Sequence, residues 1–123
     1  MARPGLVYAM QDFRQLKVWH KSRQLAIDIQ PAIGVIEKRK PRLADQLERA
    51  IESIGANIAE ACGRETRADK KKFLTTSISS TTESEHRLIR AQDHGLLTPD
   101  NLDRFTNQLI EIRKMLHSLR NKL

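Results

Sequence analysis

The chain has 123 residues, with 22 Lys and Arg against 15 Asp and Glu, for a net charge of +7. At 14.1 kDa and a pI of about 10, it is long enough for one well-cored domain, and a polyanion is the first partner to consider. A single cysteine, Cys62, excludes an internal disulfide framework and a Cys-based zinc site. No run approaches the ~20 apolar residues of a membrane span, and MARPGLVYAM lacks a signal pattern, so a cytoplasmic location without membrane contact is expected. The aromatic residues Tyr8, Phe13, Trp19, Phe73 and Phe105 are too few for a base-stacking platform.

Residues 1–12 carry no pattern and read as a disordered tail, leaving 13–123 as the single domain. A first helix is predicted from Phe13 to Glu37, with Leu16, Trp19, Ala26, Ile29, Ile33 and Ile36 on one face. Pro31 should kink it, because proline removes a backbone donor and crowds the preceding turn. A second helix starts near Pro41 or Arg42 and stops at Gly63, burying Leu43, Leu47, Ala50, Ile51, Ile54, Ile58 and Ala61. A third runs from about Arg67, capped by Thr66, to a C-terminal stop at Gly95. In the fourth, Leu102, Phe105, Leu109, Ile112, Leu116, Leu119 and Leu123 recur at spacings of 3 and 4, behind an N-cap at Thr98 and Pro99 in the first turn. Short connections force antiparallel neighbours, so the expected fold is all-α, an up-down-up-down four-helix bundle.

The third helix is unusual. Its seam reads Leu74, Ser77, Thr81, Ser84, Leu88, Ala91, with three small hydroxyls in succession. Such residues permit close helix approach and can bond their own preceding carbonyls; a polar groove or oligomer interface is the competing reading.

FRQLKVWHKS (13–22), RAIESIGANIAEACGR (49–64) and FLTTSISSTTESE (73–85) resemble the family of small helical bundles encoded in intervening sequences of bacterial 23S ribosomal RNA genes. The chain departs from that family's pattern at Gly55, where proline is usual, and at Ala61, where glycine is usual. The resemblance implies a four-helix bundle assembled into a ring-like homopentamer, with no inherited catalytic residues. It also implies a likeness to the basic accessory protein of diversity-generating retroelements, which is associated with nucleic acid and a reverse transcriptase.

Folding the predicted helices turns the charge into a map. The end formed by residues 12–25, 52–80 and 111–123 holds 13 basic and 6 acidic residues, whereas residues 26–51 and 81–110 hold 8 and 9. Phosphate contacts are therefore expected from Lys17, Lys21, Arg64, Arg67, Lys70, Lys71, Lys72, Lys114 and Arg120, with RNA favoured over DNA and weak sequence preference. A second cluster, Lys38 to Arg42, is diluted by nearby carboxylates.

Other chemistry finds less support. Glu83 and His86 form one E-x-x-H, but a di-iron bundle needs two such pairs and two further glutamates. An Arg-x5-His match at Arg14 and His20 is expected about once by chance in this composition, so an RNase-like enzyme is the weakest alternative. Hairpin register places Arg49 near Glu83, predicting a charged hydrogen bond between helices, and Asn57 partly buried. Cys62 reads as a buried, inert thiol, and no cofactor or metal is expected. The reading is a non-enzymatic, homo-oligomeric nucleic-acid-binding bundle, whose partner is RNA or a nucleic-acid-processing protein. The alternative is a scaffold presenting an apolar stripe of Val18, Leu25, Ile110 and Met115.

Overall fold

A computed structural model describes residues 10–123, and those residues form five α-helices with no strand among them. After a 3-10 turn at Phe13–Gln15 come α1 (Lys17–Asp28), α2 (Gln30–Glu37), α3 (Pro41–Gly63), α4 (Arg67–Asp93) and α5 (Pro99–Asn121). The count is five rather than four because the expected first helix divides at Ile29. Pro31 has no N–H to donate to the carbonyl four residues back, so the kink becomes a break with Pro31 in the first turn of α2.

The caps explain the other boundaries. Thr66 accepts from the Asp69 amide and Thr98 from the Asn101 amide, each at 3.1 Å. At the end of α4, Gly95 takes φ +71°. Its N–H donates to the Gln92 carbonyl at 2.8 Å, and that of Leu96 to Ala91 at 2.9 Å. This is a Schellman stop at a left-handed residue where any side chain would be strained.

Side-chain contacts set the directions. Ser77 on α4 bonds the Ile54 carbonyl on α3, and Lys70 bonds those of Ala61 and Cys62, so α3 and α4 run antiparallel. Arg113 reaches Thr81 and Glu85, and Arg120 reaches Thr75, which makes α5 antiparallel to α4. Lys21 pairs with Glu111 at 3.0 Å and Asp28 accepts from Gln108 at 3.1 Å, which aligns α1 against α5 in the same sense. One continuous core results, in which Leu25, Ile36, Leu47, Ile54, Ile58, Leu74, Leu88, Leu109 and Leu116 are fully buried.

The hydroxyl-rich seam lies in that core: Ser77, Thr81 and Ser84 are buried alongside Leu74, Leu88 and Ala91. Thr81 donates to the Ile78 carbonyl and Ser84 to that of Ser80, whereas Ser77 crosses to α3 and Ser80 to the Ser53 hydroxyl. Small side chains bring the backbones together, and each buried hydroxyl finds an acceptor.

Two expectations about the chain ends and surface are corrected. Met10 is fully buried and Asp12 caps the 3-10 turn by accepting from the Arg14 amide, so the last residues of the expected tail belong to the packed structure. The rest of that tail, residues 1–9, lies outside the described residues. The apolar stripe also changes: Val18 and Leu25 are core, whereas the large exposed apolar side chains among the described residues are Ile27, Val35 and Ile89.

Candidate nucleic-acid interface

The α3–α4 turn brings Arg64 and Arg67 next to Lys71 and Lys72. Thr66 starts α4 and fixes the direction in which this cluster leaves the turn. Arg64 pairs with Glu60 at 3.2 Å and lies 4.6 Å over the Phe73 ring, a cation–π contact that holds the guanidinium at the surface. Arg67 is exposed at the first position of α4. Lys71 and Lys72 are exposed and have no ion pair or side-chain hydrogen bond among the described residues.

Lys70 does not join this cluster. Its side chain is 0% exposed, and its ammonium donates to the carbonyls of Ala61 and Cys62, each at 3.2 Å, and of Met10 at 3.4 Å. The α3 C-terminus has carbonyls without helical partners and the negative end of the helix dipole, and a buried ammonium answers both. The expected phosphate contact at Lys70 is therefore withdrawn. The pattern that marks it is in the sequence: Lys70 stands four residues before Leu74, one step earlier on the seam that continues through Ser77 and Thr81.

The remaining predicted contacts divide. Lys17 and Lys114 are exposed without ion-pair partners, on the facing helices α1 and α5. Lys21 is paired with Glu111. Arg120 donates to the Thr75 hydroxyl at 3.2 Å and sits 3.0 Å from His117 Nδ1. Lys122, not among the predicted contacts, is exposed near Lys114 and likewise has no ion pair among the described residues.

The expected Arg49–Glu83 bond is absent. Arg49 pairs with Asp45 at 2.9 Å and Glu83 with Arg87 at 3.8 Å, each one turn away on its own helix. Both partners sit at i,i+4, the geometry most easily reached by a long exposed side chain, and the Arg49 side chain is 80% exposed. Asn57 is half-buried as expected, donating to Ser53's carbonyl and hydroxyl.

Arg14 directs its guanidinium at Asp12, at 3.0 and 3.3 Å, and those bonds hold the Asp12 carboxyl below the usual range. The His20 ring instead meets the Arg14 backbone carbonyl at 2.8 Å. Burial pushes the Cys62 thiol up to about 11, against a smaller opposing pull from Lys70. Among the described residues, no three His, Cys, Asp or Glu side chains gather as a metal site, and no helix is long and apolar enough to cross a membrane.

On α1 and α3 a second surface feature stands out. Gly55 lies under Trp19 and Ser22, where an added Cβ would meet Ser22 Oγ at 3.1 Å and Trp19 Nε1 at 3.8 Å. The missing Cβ lets α1 and α3 approach closely here.

A family model described as "23S rRNA-intervening sequence protein" matches residues 14–118. No curated protein matches. Among solved structures, the chain is similar to a protein of unknown function from the S23 ribosomal protein family of Bacteroides thetaiotaomicron. The two share 28% identity and a TM-score of 0.78, covering 84% of this chain and 97% of the other.

Proposed function

The chain belongs to the 23S rRNA-intervening sequence protein family, and we propose that it is a non-enzymatic nucleic-acid-binding protein that grips RNA phosphates at its α3–α4 turn. One observation carries the reading: Lys71 and Lys72 stand exposed and without carboxylate partners beside Arg64 and Arg67, at the end of the molecule where the charge excess lies. A concentration of cations, of which Lys71 and Lys72 have no carboxylate partner, with no aromatic platform favours backbone contacts over base reading. In this reading α1 and α2 act as one kinked arm, so the architecture is the antiparallel four-helix bundle. Self-assembly, as a pentamer by family resemblance, sets several basic turns on one ring and strengthens the field each phosphate meets.

The test is binding to a structured RNA at 50 and 200 mM salt. Four phosphate contacts lower affinity by about 100-fold over that range. Lys71→Ala with Lys72→Ala should weaken binding at low salt and reduce the salt slope by roughly 2. Unchanged affinity in that variant removes the turn as the site. Light scattering tests assembly separately, with about 70 kDa expected for five copies of a 14.1 kDa chain.

A further inference from the structure

A groove of about 390 Å³ lies between the N-terminal end of α1 and the C-terminal end of α5. Leu16, Met115 and Leu119, all half-buried, line it with Val18, and Lys17, Lys114 and Lys122 flank it. None of these three lysines has an ion pair or side-chain hydrogen bond among the described residues. One turn further along α1 the situation differs: Lys21 reaches across to Glu111 at 3.0 Å. The reason is sequence. Between Asp12 and Asp28 the α1 wall has no acidic residue, and after Glu111 the α5 wall has none to the end of the chain. The groove therefore has apolar lining and cationic walls, and its own helices supply no counter-charge.

We propose that this groove docks an acidic amphipathic helix of a partner protein. Lys114 on α5 and Lys122, which caps its C-terminus in helical conformation, are eight residues apart, so their backbones lie about 12 Å apart along the helix axis. A helix laid along the groove meets both when it carries carboxylates about two turns apart. Lys17 faces its other side, and one or two Leu- or Met-sized side chains between the carboxylates cover Met115 and Leu119. A nucleic-acid strand fits less well: the groove is lined by no aromatic ring on which a base could stack, and its one hydroxyl is that of Ser118. A single small anion would satisfy one ammonium and leave the apolar lining uncovered. Electrostatic complementarity of this kind selects the partner and speeds encounter, while the apolar side chains supply the buried area.

The proposal is independent of the phosphate site at the α3–α4 turn, and two pairs of variants separate them. The probe is a fluorescently labelled designed helix of about 20 residues, with Leu on one edge and Glu at two-turn spacing. A control peptide replaces each Glu with Gln, and an unstructured uridine oligonucleotide serves as competitor. By anisotropy with the full chain, the Glu peptide should bind at least about tenfold more tightly than the Gln peptide. Lys114→Glu with Lys122→Glu should remove that difference, Met115→Glu should weaken both peptides, and Lys71→Ala with Lys72→Ala should change nothing. Equal binding of the Glu and Gln peptides overturns the proposal, as does Glu-peptide affinity unaffected by the Lys114 and Lys122 reversals. Displacement of the peptide by the oligonucleotide, lost in the same reversals, also overturns it, because the groove would then be a nucleic-acid site.

Discussion

Lys70 closes the C-terminus of the neighbouring helix by donating its ammonium to the Ala61 carbonyl at 3.2 Å. The same nitrogen reaches Cys62 and Met10, so one side chain joins the end of α3, the start of α4 and the segment that precedes α1. Arg64, which follows α3, is extended, and its N–H bonds only the Ala61 carbonyl; Gly63 does not adopt the left-handed conformation that ends α4 at Gly95. The two helix stops thus use different physics, a glycine turn in one case and a buried cation in the other.

Removing that cation should be expensive. Lys70→Met keeps most of the stem's packing but takes the ammonium donor from the Cys62 and Met10 carbonyls, while Ala61 keeps the Arg64 N–H, for a loss of about 2 kcal/mol in urea unfolding. Lys71→Met, one residue on and exposed, should stay within about 0.5 kcal/mol of the parent. Equal stabilities for the two variants would show that the three contacts contribute nothing net.

The hydroxyl seam makes a second prediction through packing. Ser77 is fully buried and donates to the Ile54 carbonyl at 2.8 Å across the α3–α4 contact. Ser77→Ala forfeits that bond but keeps the close approach, and should lower stability by about 1 kcal/mol. Ser77→Leu must push the helices apart as well, and should cost about 3 kcal/mol. Were the position a loose polar groove, the larger apolar residue would be the better tolerated, and thermal unfolding of the pair decides.

Periodicity exposed the core because burial on a helix repeats every 3 to 4 residues whatever the residue type. That is why a run of Ser77, Thr81 and Ser84 could be placed inside from spacing alone, and the caps at Thr66 and Thr98 and the stop at Gly95 were equally local. Charged side chains are where spacing and register mislead. Lys70 sits on the seam, yet lysines are rarely buried without a partner; here the partners are backbone carbonyls, which carry no sequence signature. Hairpin register brings Arg49 near Glu83, yet each has an i,i+4 partner that costs less side-chain entropy to reach. The candidate site is therefore half legible: the composition of the charged end could be read, but not which of its cations remain free to bind.

Acid should act on the α1–α5 contact. Asp28 accepts from Gln24 and Gln108 at 2.8 and 3.1 Å, and these bonds hold its carboxyl below the ordinary 3.8. A carboxyl lowered by folding gives stability that is fully present above the unfolded value and is lost as pH falls through the folded one. The wild type should therefore lose melting temperature below about pH 4 more steeply than Asp28→Asn, whose side chain does not titrate, with the curves converging at the most acid end. Parallel curves for the two proteins would show that Asp28 is not linked to folding.

Cys62 reports on the Lys70 closure. The thiol is 3% exposed, and burial raises its pKa to about 11, so at pH 8 little thiolate is present and no reagent can reach it in the folded chain. Labelling by a disulfide reagent should be slow without denaturant and complete in urea. Lys70→Met loosens the helix end that covers the sulfur, so it should accelerate labelling by about tenfold through more frequent local opening. The acceleration should appear at urea concentrations too low to unfold the chain globally. Rapid labelling of the wild type at pH 8 would instead mean that the α3 end opens readily, with the Lys70 contacts too weak to hold it.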